Sequence, residues 1–481
     1  MNFPQLALRV VFVLFAASSL APCGAQPDYR LHAVPVAPAP ADPAIARALE
    51  AIHAGAIEKT IQTLVGFGTR STLSSMEKDL SPDQGINAAA DWIAAQFDQI
   101  SRQCGGCLEV HRDTFTEPVA ERVPQPTTIT NIYAIQRGTD PDQAKRMVLV
   151  TGHYDSRNSN VLDAQGAAPG ANDDASGVAV SLECARALSK LHFPATIVYV
   201  AVAGEEQGLN GSGHLAKLAR SEGWQLDAVL NNDIVGGNTT PGDKLQLKDR
   251  VRVFSEGIPA GATPEQARRL RAVGEESDSP SRQLARAVAD IARTYFPTAS
   301  SSPFTPFLVF RPDRYLRGGD HTSFNREGFA AVRFTEWRED YNHQHQNVVI
   351  PAPDSRQPTL GDLIQFVDFN YVAHVARLNA ATLATLASAP GKPRNVVIET
   401  QELEDGTTLK WDAPDDDTVM RYQVLWRETT AADWQYATGP VIPIGANGSS
   451  VVLTLPLSKD NVILGVRSID RVGHRSLVVV P

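Results

Sequence analysis

The amino-acid sequence predicts an α/β domain with a central mixed, mostly parallel sheet flanked by helices, followed by a small all-β sandwich. Apolar strand-like runs (Thr127–Ile135, Met147–Thr151, Ile197–Ala203, Ala228–Asn231, Ala331–Phe334) alternate with helix-like ones such as Ser176–Leu191 and Ser281–Tyr295, the pattern of a sheet covered on both faces. Ahead of them, Pro43–Phe67 and Gly85–Ile100 repeat apolar residues every three or four positions, which predicts two amphipathic helices. After Ala389-Pro-Gly-Lys-Pro393 only short alternating strands follow: Val396–Thr400, Thr408–Trp411, Tyr422–Arg427, Val451–Leu455 and Val462–Ser468.

These runs divide the 481 residues into a signal at 1–25, a Pro- and Ala-rich linker at 26–43, the α/β domain at 44–388, a stiff linker at 389–393 and the sandwich at 394–481. The signal rests on Arg9 before the run Val10–Ala17, with small residues around Cys23-Gly-Ala25 for cleavage. That run is too short for a membrane span, so a secreted or periplasmic protein is expected; a lipoprotein modified at Cys23 is the alternative. Cys104-Gly-Gly-Cys107 suits a disulfide in an oxidising compartment, with a zinc pair or a redox pair as rivals, and Cys184 reads as a buried free thiol. Asn238–Pro280 is polar and weakly periodic, an expected insertion over one edge, and Leu360–Ala387 reads as the closing helix. A net charge of -10 without a long Lys/Arg run argues against nucleic acid. Oligomeric state is not legible.

Chemistry gathers at the strand ends. Met147–Thr151 runs into Gly152 and His153, Ile197–Ala203 into Gly204, Glu205 and Glu206, and Ala228–Asn232 into Asp233. Ligands of open α/β sheets bind at the carboxyl edges of such strands, so three strands deliver metal-ligand side chains to one edge. His153 and Asp155 form a pair in which the carboxylate would accept the second imidazole proton. Asp173, in Gly170-Ala-Asn-Asp-Asp-Ala-Ser-Gly177, is either a carboxylate bridging two cations or a helix cap, a role Asp174 could also fill. Of the adjacent Glu205 and Glu206, one could bind metal while the other stays free as general base; the bland reading is a solvated pair at a helix start. Asp233 is a ligand or a turn residue. His343 and His345, two apart, offer one more ligand, or are exposed loop histidines. Asp320 and His321 in Gly318-Gly-Asp-His-Thr-Ser-Phe324 are substrate contacts, supports behind the ligands, or a structural loop.

Taken together, GHYDS, PGANDDASG, the Glu pair after VYVAVAG, the Asp of NNDIVG, GGDHTSF and the late His segment make residues 127–380 resemble the co-catalytic zinc exopeptidases of metallopeptidase family twenty-eight. The resemblance implies two zinc ions bridged by Asp173 and a water, with His153 and Asp233 on one ion and Glu206 with a late histidine on the other. It makes Glu205 the general base and Asp155 the carboxylate behind His153. The family's histidine is usually followed four residues later by Asp, and Asn347 stands at that spacing from His343, which favours His343 over His345. A peptide substrate follows, with an aminopeptidase expected ahead of a carboxypeptidase, a one-zinc glutaminyl cyclase or a non-catalytic binding protein on the same scaffold. Separately, Trp411, Tyr422 and the closing Ile469–Ser476 resemble a fibronectin type III module.

Overall fold

The computed structural model describes residues 27–31, 33–401, 404–439 and 450–481, so the expected signal segment lies outside the described residues. The stretch expected to be a linker is folded: α1 (Asp28–Leu31) is followed by β1 (Val34–Pro35), which pairs with Tyr436–Ala437 of the C-terminal region. Trp426 donates its indole N–H to the Tyr29 carbonyl at 2.8 Å, and the Ser458 amide donates to the Asp28 carboxylate at 2.8 Å. Long-range partners of this kind leave no local periodicity to read.

Asp42 caps α2 (Pro43–Glu50) by accepting the Ala44 and Ile45 amides, and Pro43 supplies a first residue that needs no donor. The single expected helix breaks before α3 (Ala54–Gly66), because Ile52 turns into the core and its carbonyl accepts from Arg377. After α4 (Gly85–Gln103) the disulfide Cys104–Cys107 closes the Gly-Gly loop. β2 (Glu109–Glu117) is an edge strand with no clear apolar alternation; it is held by nine-residue pairing to β3 (Thr127–Gln136).

The sheet continues through β4 (Arg146–His153), α5 (Ala175–Leu188), β5 (Thr196–Val202), α6 (Asn210–Ser221), β6 (Gln225–Asn232), β7 (Arg250–Ser255), α7 (Pro264–Ala272), α8 (Pro280–Tyr295), β8 (Thr305–Val309), α9 (His321–Arg326) and β9 (Ala331–Thr335). Its order is β2-β3-β5-β4-β6-β9-β7-β8. The four central strands β5, β4, β6 and β9 run parallel, β7 pairs parallel with β8, and the other three pairings are antiparallel. The mixed, mostly parallel sheet is therefore as expected. Apolar side chains bury both faces: α2 to α5, α8 and α10 (Phe369–Ser388) cover one, and α6 with α9 covers the other through Leu215, Ala216, Ala219 and Phe324.

Two expectations are corrected. Residues 238–280 are no mere insertion: Val251 and Val253 of β7 are fully buried between arginines, and the strand enters the main sheet between β9 and β8. α10 begins at Phe369 instead of Leu360, because Asp368 caps it by accepting the Asn370 and Tyr371 amides while Leu360 pairs with Val349.

β10 (Arg394–Ile398), β11 (Thr407–Asp412) and β14 (Val451–Leu455) form one small antiparallel sheet; β1, β12 (Val419–Glu428), β13 (Tyr436–Ala437) and β15 (Val462–Asp470) form the other. Their inner faces share one core, in which Trp411 meets Tyr422 edge-on at 5.4 Å. The buried Asp278 carboxylate accepts from Arg286 of α8 at 2.9 Å and Arg427 of β12 at 2.6 Å, joining the sandwich to the α/β unit.

The close approach that sets the site is glycine on glycine. A Cβ on Gly152 would lie 2.4 Å from the Gly177 carbonyl carbon, and one on Gly177 would lie 2.2 Å from the Asn232 carbonyl oxygen. Strand ends and helix start thus touch through bare backbone. Gly177→Ala is expected to destabilise the fold by about 1–3 kcal/mol, read as a lowered urea midpoint at unchanged m-value.

Candidate metal centre

β4, β5 and β6 end side by side, so His153, Glu205, Glu206 and Asp233 arrive at one edge of the sheet. Asp174 caps α5: its carboxylate accepts the amides of Gly177 at 2.9 Å, Ile234 at 3.3 Å and His153 at 3.0 Å. Of the two aspartates that could have capped the helix, Asp173 is thereby left to face the converging side chains.

Those side chains form two groups. His153, Asp173 and Asp233 offer ligand atoms that all lie within 4.8 Å of one another, and so do Asp173, Glu206 and His345. His153 Nε2 is 3.1 Å from Asp173 Oδ1 and 4.0 Å from Asp233 Oδ1. His345 Nε2 is 2.8 Å from Asp173 Oδ2 and 2.9 Å from Glu206 Oε1. Asp173 therefore gives one oxygen to each group. The His153 Nδ1 atom lies 3.1 Å from the Asp155 carbonyl and 3.4 Å from its carboxylate, which holds the proton there and turns the Nε2 lone pair inward. His153 Nε2 and Glu206 Oε1 are buried, and their near neighbours, Asp173 Oδ1 and His345 Nε2, do not meet them in hydrogen-bond geometry. Orphaned imidazole and carboxylate atoms aimed at common points fit zinc.

The Asp155 carboxylate also accepts from Thr72 Oγ1 at 3.0 Å and from the Glu205 and Glu206 amides at 3.3 and 3.1 Å, so it fixes the loop after β5. Glu205 is half-buried on the wall of a cleft of about 850 Å³. Loss of hydration pushes its pKa well above the ordinary value, with Glu206, Asp233 and Asp320 pushing the same way against His153. Burial likewise raises Asp233. Burial opposes a charged His345 ring, yet Glu206 and Asp173 outweigh it and raise its pKa to about 10.

Three expectations need correction. The place expected for His343 is taken by His345, whose left-handed backbone (φ +54°) swings its ring toward Asp173. His343 stacks on Phe366 at 3.5 Å with Nδ1 facing Thr240 and Asn238, and Asn347, on which its choice rested, is exposed. Asp320 and His321 do not line the cleft. Asp320 is fully buried behind it with both oxygens unpartnered and its pKa raised by burial to about 7. His321 donates to the Pro312 carbonyl at 2.8 Å, held there by the β8–α9 loop.

Several residues escaped the sequence reading. Arg157 lies with Nε 3.0 Å from Glu206 Oε2 and donates through Nη2 to His345 Nδ1 at 2.7 Å. Its place two residues after Asp155 was the one available hint. Arg333, fully buried, sits 2.7 Å from Asp233 Oδ1. Asp362 accepts the Asn172 and Asp173 amides at 2.8 and 2.7 Å, from a stretch that read as helix. Four non-glycine residues with positive φ, Leu209, Ile234, Leu316 and His345, adjoin this site, where surrounding contacts hold a costly backbone.

The Peptidase family M28 profile matches residues 131–350. A "probable zinc metalloprotease" of Leptosphaeria maculans is 42% identical over 447 residues, covering 93% of this chain and 98% of its own. Another of Pyricularia oryzae is 43% identical over 441 residues, covering 90% and 83%. Among solved structures, the Legionella pneumophila LapA aminopeptidase aligns over 72% of this chain and 74% of its own at 20% identity and TM-score 0.47. The Porphyromonas gingivalis glutaminyl cyclase aligns over 69% and 98% at 19% identity and TM-score 0.45. At that level neither neighbour bears on activity.

Raised pKa values at His153 and His345 mean that the metal-free site holds imidazole protons at neutral pH which a cation must displace. Zinc affinity is therefore expected to fall as pH falls from 8 to about 6, with protons released on binding. Calorimetry in buffers of different ionisation enthalpy reads that release; none, or uptake, would contradict the assignment.

Proposed function

The chain belongs to Peptidase family M28 and is a zinc metallopeptidase, and from that premise we propose a two-zinc exopeptidase that removes N-terminal residues from peptides. One observation carries the reading: Asp173 presents its two oxygens to two separate ligand groups, His153 with Asp233 and Glu206 with His345. A carboxylate shared in this way suits a two-ion site, where it would hold both cations.

When bound, the two ions supply Lewis acidity that polarises the scissile carbonyl and makes a water nucleophilic near neutral pH. The protein's share is position and proton transfer. Glu205 projects into the cleft beside the ligands but belongs to neither ligand group. Its carboxylate oxygen takes the proton of the attacking water and hands it to the leaving amine, a role suited to a carboxylate whose basicity is raised by burial. Asp155 keeps the His153 ring and the Glu205 backbone in register during that exchange. Aminopeptidase action is placed ahead of carboxypeptidase action on the family resemblance of the motifs, and the requirement for a free substrate amine tested below decides between them. The Cys104–Cys107 disulfide supports export to an oxidising compartment, and the Trp411–Tyr422 pair supports a fibronectin type III reading of the sandwich.

Glu205→Gln is expected to retain zinc while losing hydrolysis by about 10²–10⁴-fold; full retained activity would reject the base assignment. Metal analysis of the wild type is expected to give two zinc ions per chain, and a single tight ion would favour cyclase chemistry instead. Leucine amide should be cleaved and its N-acetyl derivative left intact.

A further inference from the structure

The cleft wall is cationic. Arg122, Arg157, Arg314, Arg317 and Arg326 line it, and its four carboxylates are Asp173, Glu205, Glu206 and Asp233. Three of these are proposed metal ligands and the fourth is the proposed base. Two divalent ions would cancel those four charges, leaving Asp155 and Asp320 buried beneath. The arginines would then face the cleft largely uncompensated.

Their partners are few. Arg314 has Glu339 at 2.7 Å and Asp313 at 3.1 Å, and the same Glu339 lies 3.4 Å from Arg317 and 2.9 Å from Arg252. Arg122 donates one side-chain hydrogen bond, to the Glu206 carbonyl at 3.1 Å, and among the described residues neither Arg122 nor Arg326 has an ion pair. Arg157 leans on Glu206, a carboxylate that a bound ion would claim. These residues come from separate elements: the β2–β3 connection, the loop after β4, the β8–α9 loop and the end of α9. Guanidinium groups recognise carboxylates through paired N–H donors, and a ring of several exceeds the need of one chain terminus.

We infer that this cleft selects acidic peptides, with Arg122, Arg157, Arg317 and Arg326 receiving carboxylate side chains near the scissile bond. The inference rests on the peptidase reading above and names its substrate class. Arg122 and Arg326 are specificity residues here, since they touch no proposed metal-ligand side chain.

The test compares Leu-Glu-Glu-Glu amide with Leu-Gln-Gln-Gln amide and with the free-acid form of the Gln peptide, using the zinc-loaded full chain. The Glu peptide is expected to be favoured about tenfold in kcat/KM at low salt, chiefly through KM, with the preference shrinking to about twofold at 0.5 M NaCl because the contacts are solvent-exposed. The double variant Arg122→Gln/Arg326→Gln should reduce the low-salt preference to about threefold or less. Calorimetric binding of both amides to the Glu205→Gln protein should show the same ranking without turnover. Equal handling of the Glu and Gln amides would overturn the inference and leave the peptidase reading standing. A preference for the free acid over both amides would assign the arginines to a chain terminus and overturn it as well. If no peptide is cleaved, the peptidase reading falls, and binding to the Glu205→Gln protein still decides the acidic preference.

Discussion

Carboxylates crowded at one sheet edge repel each other, and the fold must hold them together against that repulsion. It does so with a second layer of acids that face backbone instead of the cleft. Asp155 accepts the Glu205 and Glu206 amides, Asp174 the His153, Gly177 and Ile234 amides, Asp362 the Asn172 and Asp173 amides, and Glu336 the Asn238 amide. Each bond satisfies a backbone N–H at a strand end, a helix start or a loop that would otherwise lack a partner. The bonds to the Glu205, Glu206, His153 and Asp173 amides also fix backbones whose side chains reach the site. The positions of His153, Asp173, Glu206 and Asp233 depend on this layer.

Packing behind the layer is correspondingly tight. Gly152 and Gly177 let β4 and α5 meet without side chains, and Asn232 and Asn379 exchange amide hydrogen bonds at 2.9 and 3.0 Å to lock the end of β6 to α10. The strained backbones at Ile234 and His345 sit where these constraints end. An isoleucine with positive φ is expensive, and it persists because Asp174 and the neighbouring strand leave its chain no other path. Arg333 and Arg157 offset part of the negative charge from opposite sides, the first beside Asp233 and the second beside Glu206.

Most of the ligand residues were legible because apolar strands announce their own ends. A run such as Ile197–Ala203 can be read from composition, and the first polar residues after it must lie at the sheet edge. β7 was not legible because its two valines stand between arginines, and the alternation is too short to stand out from the polar segment around it. The break before α3 and the late start of α10 escaped for a related reason: Ile52 and Asp362 follow tertiary contacts, with Arg377 and with the Asn172–Asp173 backbone. His345 lost to His343 in the sequence reading because spacing counts residues along the chain. A left-handed residue reverses direction without altering the count.

By itself the amino-acid sequence determined the α/β class, the edge at which chemistry gathers and the kinds of donor that meet there, since strand periodicity and residue type are local properties. Tertiary structure decided which histidine arrives, which aspartate caps and which faces the site, and which arginines wall the cleft. Those outcomes depend on backbone direction and on hydrogen bonds between residues up to 190 positions apart, as between Asn172 and Asp362, and separations of that size leave no trace in a local pattern.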